Sequence, residues 1–367
     1  MLNVETFVQQ RYPDLWLERP LLARRLVTAL RLIFHEKELQ QVEAASPQLE
    51  GFDFVEQVLT YFDFTYRVRD SEWERIPPHG KVVIVANHPI GTLDGLALLK
   101  IVREVRRDVK VVANDVLSAI KPLDALLLPV DNMGGNTAHR NLRAIHQFLD
   151  GDGALIMFPA GEVSRFGPKG VRDGDWQTGF LRIANAAKAP ILPIFVDARN
   201  SAFFYALSFL ARPLSTLWLV REMFKQAKTC IDVRIGQPIG YRSYQRIGVP
   251  LPEKANLMHR HLYRIGHDRP PIFATEKAIS HPENRLQLRA EIRSCELLGE
   301  TGDGKQIYLY RHRPDSCVMR EIGALRELTF RAVGEGTGER RDIDSYDRHY
   351  LHLLLWDTED LEIAGAY

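Results

Sequence analysis

The sequence predicts an α/β fold, a mostly parallel sheet flanked by helices, followed by an incomplete α+β unit. Three observations carry this reading. From Lys81 onward short apolar runs alternate with helix-length amphipathic segments, the pattern of strands joined by helical crossovers. Several of the runs are apolar throughout, as in strands buried on both faces. Beyond Leu286 the order changes to hairpin, helix, hairpin, which a parallel crossover sheet does not produce.

The chain has 367 residues, 45% hydrophobic and 26% charged, enough for two globular domains. Its net charge of +1 conceals an asymmetry: residues 332–367 hold nine acidic and three basic side chains, so the remainder carries +7. That excess is too small for a nucleic-acid binder of this size. Cys230, Cys295 and Cys317 are scattered without Cys-x-x-Cys spacing, so neither a disulfide framework nor a zinc site is indicated, and a reducing compartment fits. The opening "MLNVETFVQQRYPDLW" lacks the basic start and apolar core of a secretory signal. No stretch supplies the ~18 charge-free apolar residues of a spanning helix.

Residues 1–60 read as a helical region. "RPLLARRLVTALRLIF" has helical period, with Leu22, Leu26 and Ile33 on one side and Arg24, Arg25 and Arg31 on the other. It either lies on an anionic bilayer or covers the core with its arginines in water. Residues 61–245 form the α/β domain. Strands are expected at "KVVIVA", "VKVVA", "ALLLPV", "ALIMF", "PILPIFV" and "CIDVRIGQPI", and helices at 94–106, 137–149 and 176–188. "SAFFYALSFLARPLSTLWLVREMFKQAK" is interrupted at Arg212 and Pro213, which predicts two short helices, and its aromatic and leucine content suits an interfacial surface. Residues 246–285, with "DRPPI" and "SHPENR", read as a linker containing a helix. In 286–367, "AEIRSCELLGETGDGKQIYLYR" predicts a hairpin turned at Gly302 to Gly304, "VMREIGALRELTFRAV" a helix and "YLHLLLWDTEDLEIAGAY" a second hairpin. The chain stops at Tyr367 inside an apparent strand, which reads as a truncated domain.

Four stretches at expected strand ends carry chemistry. "NHPIGTLDG" supplies an imidazole, His88, and a carboxylate, Asp94, across a turn made flexible by Gly91. A neutral imidazole takes the proton of an attacking hydroxyl, and a carboxylate behind it fixes the tautomer. "MFPAGEVSRFGPKG" offers Gly161, Glu162 and Ser164, with Arg165, Lys169 and the following Arg172 as charge for a phosphate or carboxylate head group. "LLLPVDNMGGNTAHRN" contributes Asp131 and Arg140, and "APILPIFVDARN" contributes Pro193. With Asn87, these three are candidates for an acyl or acceptor groove.

In this order the four stretches resemble the PlsC-like glycerolipid O-acyltransferases over residues 60–245, "NHP…DG" standing for the catalytic block and "FPAGEVSR" for the "FPEGTRS" block. The resemblance implies that His88 is the general base, Asp94 its partner, and that Gly161, Ser164 and Arg165 meet the acceptor. Two departures are visible: five residues rather than four separate His88 from Asp94, and Ala160 stands where the family has Glu, with Glu162 two positions later. The first requires Gly91 to absorb an extra residue, and the second argues against a plain glycerol-phosphate acceptor.

The C-terminal "LRELTFR" with "DIDSYD" resembles the first part of haemolysin-like GNAT N-acyltransferases, with Arg326, Phe330, Arg331, Asp342, Asp344 and Asp347 as candidate site residues. The two halves together resemble bifunctional ornithine-lipid synthases. That resemblance implies a peripheral enzyme on the cytoplasmic face of the bacterial inner membrane. It would move an acyl group from acyl-carrier protein or coenzyme A, a co-substrate rather than a tightly bound cofactor, to lyso-ornithine lipid. Arg165 and Lys169 would meet the ornithine carboxylate and Glu162 its amine. Lysophosphatidic acid as acceptor is the alternative within the class, and a non-catalytic, haemolysin-like membrane-binding protein the alternative outside it. A metal site built from His88, Asp94, His139 and His146 is not expected, since no His-x-x-x-His or Glu-x-x-His pair supports one.

Overall fold

The computed structural model describes Glu5 and residues 20–33, 48–113, 120–129, 136–168, 170–210 and 212–367. They form two compact units, Met1–Ala274 and Thr275–Tyr367. In the first, β1 (Thr65–Val68), β2 (Val82–Ala86), β3 (Val109–Ala113), β4 (Leu127–Pro129), β5 (Ala154–Met157), β8 (Ile191–Asp197) and β9 (Cys230–Ile235) build one sheet in the order β1-β9-β8-β2-β5-β3-β4. β6 (Arg165–Gly167) and β7 (Gly170–Arg172) form a separate hairpin. Every pairing in the large sheet is parallel except β8 with β9.

Strand alternation divides the core into two layers. Val82, Ile84 and Ala86 face a cluster with helices Gly51–Tyr61 and Thr92–Arg103. Val83 and Val85 face the opposite cluster with helices Asn136–Asp150, Gly179–Ala187 and Leu251–Gly266. Because both faces are covered, all five residues of β2 are fully buried, which is why that run shows no polar alternation. β2 lies between β5 and β8, parallel to both and registered Val85 to Met157 and Val85 to Pro193. The carboxyl ends of the three strands therefore open onto one crevice, the usual place for a site in a doubly wound sheet.

Two expectations are corrected here. Residues 246–285 are not a linker: Ala255, Met258 and Leu262, spaced to share one helix face, are fully buried in the second cluster, and the unit boundary falls after Ala274. The prolines around this segment mask the amphipathic period that buries it. On helix Pro20–Ile33 the buried residues include Ala23 and Val27, whereas Leu22 is exposed with Arg24 and Arg25. The interrupted segment forms two helices, Ala202–Leu210 and Arg212–Lys225.

The second unit is an antiparallel sheet in the order β10 (Glu296–Glu300), β11 (Gln306–Arg311), β12 (Leu351–Asp357), β13 (Glu362–Ala366), packed against helices Arg285–Ile292 and Cys317–Val333. Glu291 caps the longer helix, its carboxylate accepting from Cys317 N–H at 2.9 Å and from the Ser316 hydroxyl, a favourable charge at a helix N-terminus.

Candidate active site

The turn after β2 is built to hold an imidazole against a carboxylate. Helix Thr92–Arg103 begins after Gly91, whose φ of 101° suits glycine alone, and Asp94 is its third residue. Asp94 Oδ2 accepts from the N–H groups of Ile90 at 2.9 Å and Gly91 at 3.3 Å, as carboxylates do at a helix start. Its other oxygen lies 2.8 Å from His88 Nδ1. Asp94 is fully buried, while the His88 side chain keeps 20% of its surface. Burial works against protonation of His88, but the charge and hydrogen bond of Asp94, with the charge of Asp173, outweigh it, so its pKa stands above the ordinary 6.5. The Phe158 ring, from the end of β5, packs 4.1 Å from the imidazole, centroid to centroid.

The turn is clamped from both neighbouring strands. On the β8 side the Asn87 side chain donates to Val196 O at 2.8 Å and accepts from Val196 N–H at 2.7 Å, and Asn200 Nδ2 donates to Pro89 O at 3.2 Å. On the β5 side Ser164 N–H donates to His88 O at 2.8 Å. Asp173 Oδ1 accepts from His88 N–H at 3.2 Å and from the Ser164 hydroxyl at 2.5 Å, and its Oδ2 accepts from Trp176 Nε1 at 3.1 Å. Burial pushes the Asp173 carboxyl upward against these bonds. Asp173 and Asn200 escaped the sequence reading, for a lone acid or amide after a strand carries no pattern. Trp176, read as the start of a helix, stands before it, and the helix runs Gly179–Ala187.

Arg165 is already engaged. Its Nη1 donates to the hydroxyls of Ser208 at 2.5 Å and Ser215 at 2.6 Å, its guanidinium lies 5.2 Å from the centroid of the Phe204 ring, and Nη2 is 3.4 Å from Glu162. It thus ties the loop after β5 to the two helices Ala202–Leu210 and Arg212–Lys225. Glu162 is partly exposed beside it. Gly161 adopts φ 68°. Pro193 is buried within β8, where Gly236 N–H donates to its carbonyl at 2.8 Å, and Arg140 is exposed on helix Asn136–Asp150. Lys169 and Asp131 lie outside the described residues, and of the His139 side chain nothing is described. Among the described residues no cluster of three or more His, Cys, Asp or Glu stands ready for a metal ion.

Beside the turn lies a shallow cleft whose lining includes Asn87, Pro89, Ser164, Arg172, Asp197 and Arg199. It takes in both chain neighbours of His88. In the second unit five of the six candidate residues have polar partners within the unit: Arg326 pairs with Asp347 at 2.7 Å and Asp342 at 3.6 Å, and Asp344 accepts from Tyr346 N–H at 2.7 Å. Arg331 pairs with the buried Glu327 at 2.6 Å, and Phe330 is exposed.

An imidazole held against a buried carboxylate at the crevice of a doubly wound sheet fits a group-transfer or hydrolytic site. Residues 9–268 match the family described as acyltransferase; the chain belongs to that family, and it is an enzyme. It is similar to lyso-glycine lipid O-acyltransferases of Bacteroides thetaiotaomicron, 29% identical over 257 residues, 68% of this chain and 92% of that protein, and of Phocaeicola vulgatus, 29% identical over 234 residues, 62% and 83%. Residues 325–367 match the acetyltransferase (GNAT) domain. There the chain is similar to a glycine N(alpha)-acyltransferase of Bacteroides thetaiotaomicron, 43% identical over 93 residues, spanning 24% of this chain and 28% of that protein. A solved structure, the 1-acyl-sn-glycerophosphate (LPA) acyltransferase PlsC of Thermotoga maritima, covers 65% of this chain and 95% of its own at 16% identity and TM-score 0.39. The acyltransferase and GNAT halves read from the motifs are thus both matched.

Proposed function

We propose that the chain transfers a fatty acyl group from a thioester of acyl-carrier protein or coenzyme A to the hydroxyl of a lyso-lipid whose head group is an N-acylated amino acid, glycine in particular. The contact of His88 with Asp94 carries the reading. With Nδ1–H turned to the carboxylate, Nε2 keeps its lone pair and takes the proton of the acceptor hydroxyl as its oxygen attacks the thioester carbonyl. The C–O bond forms, the C–S bond breaks, and the imidazolium returns the proton to the leaving thiolate. No covalent acyl-enzyme is needed. The relatives' names support glycine over the ornithine expected from the resemblance. Glycine has no hydroxyl of its own, so an O-acyltransferase for such a lipid must use a hydroxyl on the N-linked chain, and the head group that remains is a lone carboxylate.

The lipid substrate also requires a surface on which to meet it. Among the described residues no helix is long and apolar enough to cross a membrane. Helix Ala202–Leu210 exposes 90% of Phe209 and 82% of Leu210, and the β6–β7 hairpin exposes Phe166, which supports peripheral docking on a bilayer. The test is mass-spectrometric assay of the purified chain with both thioesters and with lyso-glycine lipid, lyso-ornithine lipid and lysophosphatidic acid. Ester formation is expected with lyso-glycine lipid, abolished by His88→Ala. Turnover of lysophosphatidic acid alone, or a His88→Ala variant of unchanged rate, overturns the proposal.

A further inference from the structure

We infer that Ser164 and Asp173 are positioning residues for His88, and that the Ser164 hydroxyl serves the base and not the acceptor. The inference rests on His88 being the base of the reaction proposed above, and it holds whichever lyso-lipid is the acceptor.

His88 is held at three points. Asp94 takes the imidazole at Nδ1. The two backbone polar groups go to the segment after β5: His88 O accepts from Ser164 N–H at 2.8 Å, and His88 N–H donates to Asp173 Oδ1 at 3.2 Å. The Ser164 hydroxyl donates to that same oxygen at 2.5 Å. Three hydrogen bonds thus close a ring through His88, Ser164 and Asp173. With the backbone fixed on one side and Nδ1 on the other, the direction of Nε2 is set before any acceptor arrives.

Both members of the ring are anchored in turn. Asp173 Oδ2 accepts from Trp176 Nε1 at 3.1 Å, and Asp173 N–H donates at 2.9 Å to the hydroxyl of Tyr263, on helix Leu251–Gly266. Ser164 lies between two fixed neighbours. Val163 is buried with Cγ1 3.6 Å from where a Cβ at Gly91 would stand, and Arg165 is bonded to Ser208 and Ser215. Ser164 is 1% exposed and Asp173 is also buried, so neither offers surface to an acceptor. Turning the Ser164 hydroxyl to a substrate would take a donor from a buried carboxyl group, a loss of about 1–3 kcal/mol.

The experiment is steady-state acyl transfer by the purified chain to lyso-glycine lipid or, where that is not turned over, to lysophosphatidic acid. Ser164→Ala should lower kcat about 10-fold and Asp173→Asn about 10- to 100-fold, the scale of a misaligned base, with the acceptor KM kept within about twofold. In a His88→Ala background neither substitution should lower the residual rate by more than about twofold, because both act through the missing imidazole. Ser164→Ala loses only a hydroxyl and decides alone if Asp173→Asn fails to fold. A Ser164→Ala variant with normal kcat and a raised acceptor KM returns Ser164 to the acceptor and overturns the inference. So does normal kcat in Ser164→Ala while His88→Ala is impaired, which leaves the base itself in place. An unimpaired His88→Ala variant removes the base and the inference together.

Discussion

Replacing Asp94 by Asn exposes the logic of the base. The carboxylate faces donors on both sides, two backbone N–H groups at Oδ2 and His88 Nδ1 at Oδ1. An asparagine has one oxygen for this work. Turned to Ile90 and Gly91, it keeps two hydrogen bonds and offers its NH₂ to the imidazole. Turned the other way, it sets NH₂ against two N–H groups. Each backbone bond contributes roughly 0.5–1.5 kcal/mol, and an orphaned buried donor costs about 1–3, so the first arrangement wins by a kilocalorie or more. The imidazole must then accept at Nδ1, which puts its proton on Nε2 and removes the lone pair that the reaction needs. The fold is kept and the tautomer inverted. The expected loss in kcat is about 10³–10⁴-fold, the scale seen when a histidine base is locked in the wrong tautomer. Single-turnover acyl transfer measures the rate, and nitrogen chemical shifts of labelled His88 report the tautomer. An Asp94→Asn variant within about threefold of the wild-type rate would refute the reasoning, because it would mean that orientation of the imidazole is not limiting.

The other expectations concern single groups. His88→Ala should lower acyl transfer roughly 10²–10⁴-fold with the thermal transition little changed, since the residue stands in a turn. Because the pKa of His88 is raised above 6.5, the acid limb of the kcat/KM profile should lie above that value, the base being lost as pH falls. The matching stability contribution of the protonated ring is present below the unfolded pKa and disappears as pH rises through the folded one; Asp94→Asn should move the limb down, and an unmoved limb would assign it elsewhere. Arg165→Ala should lower thermal stability, by loss of the Ser208 and Ser215 bonds, more than it raises the acceptor KM; a selective KM effect would return Arg165 to the head group. In the second unit Glu327→Ala strips a fully buried carboxylate from Arg331 and from the N–H groups of Thr337 and Gly338. It should destabilise that unit by about 3–5 kcal/mol, read as lost amide protection around residues 327–338.

How much of this was legible in the chain follows from what each part buries. β2, β5 and β8 announce themselves because strands covered on both faces must be apolar throughout. β1 was missed: its four residues, "TYRV", lie at the sheet edge with Thr65 and Arg67 exposed, so neither burial nor length marks them. His88 and Asp94 were readable because the turn between them has its own signature. Asp173 was not, since its role comes from donors at Ser164 and Trp176 that the fold alone assembles. The surroundings of the motif arginine were hidden for the same reason: residue type reports charge, whereas the serines that bond Arg165 come from helices 43 and 50 positions later in the chain.

The extra residue between His88 and Asp94 bears on how such sites are to be found in other chains. The carboxylate is located by its place as the third residue of a helix and by two backbone donors ahead of it, not by its count from the histidine. A glycine at φ 101° takes up the surplus. Searches that demand a fixed interval between histidine and carboxylate will therefore overlook chains that bring the two together in this way. A query that lets the interval vary while fixing the helix register, with glycine at the cap and the acid three positions on, follows what the geometry constrains.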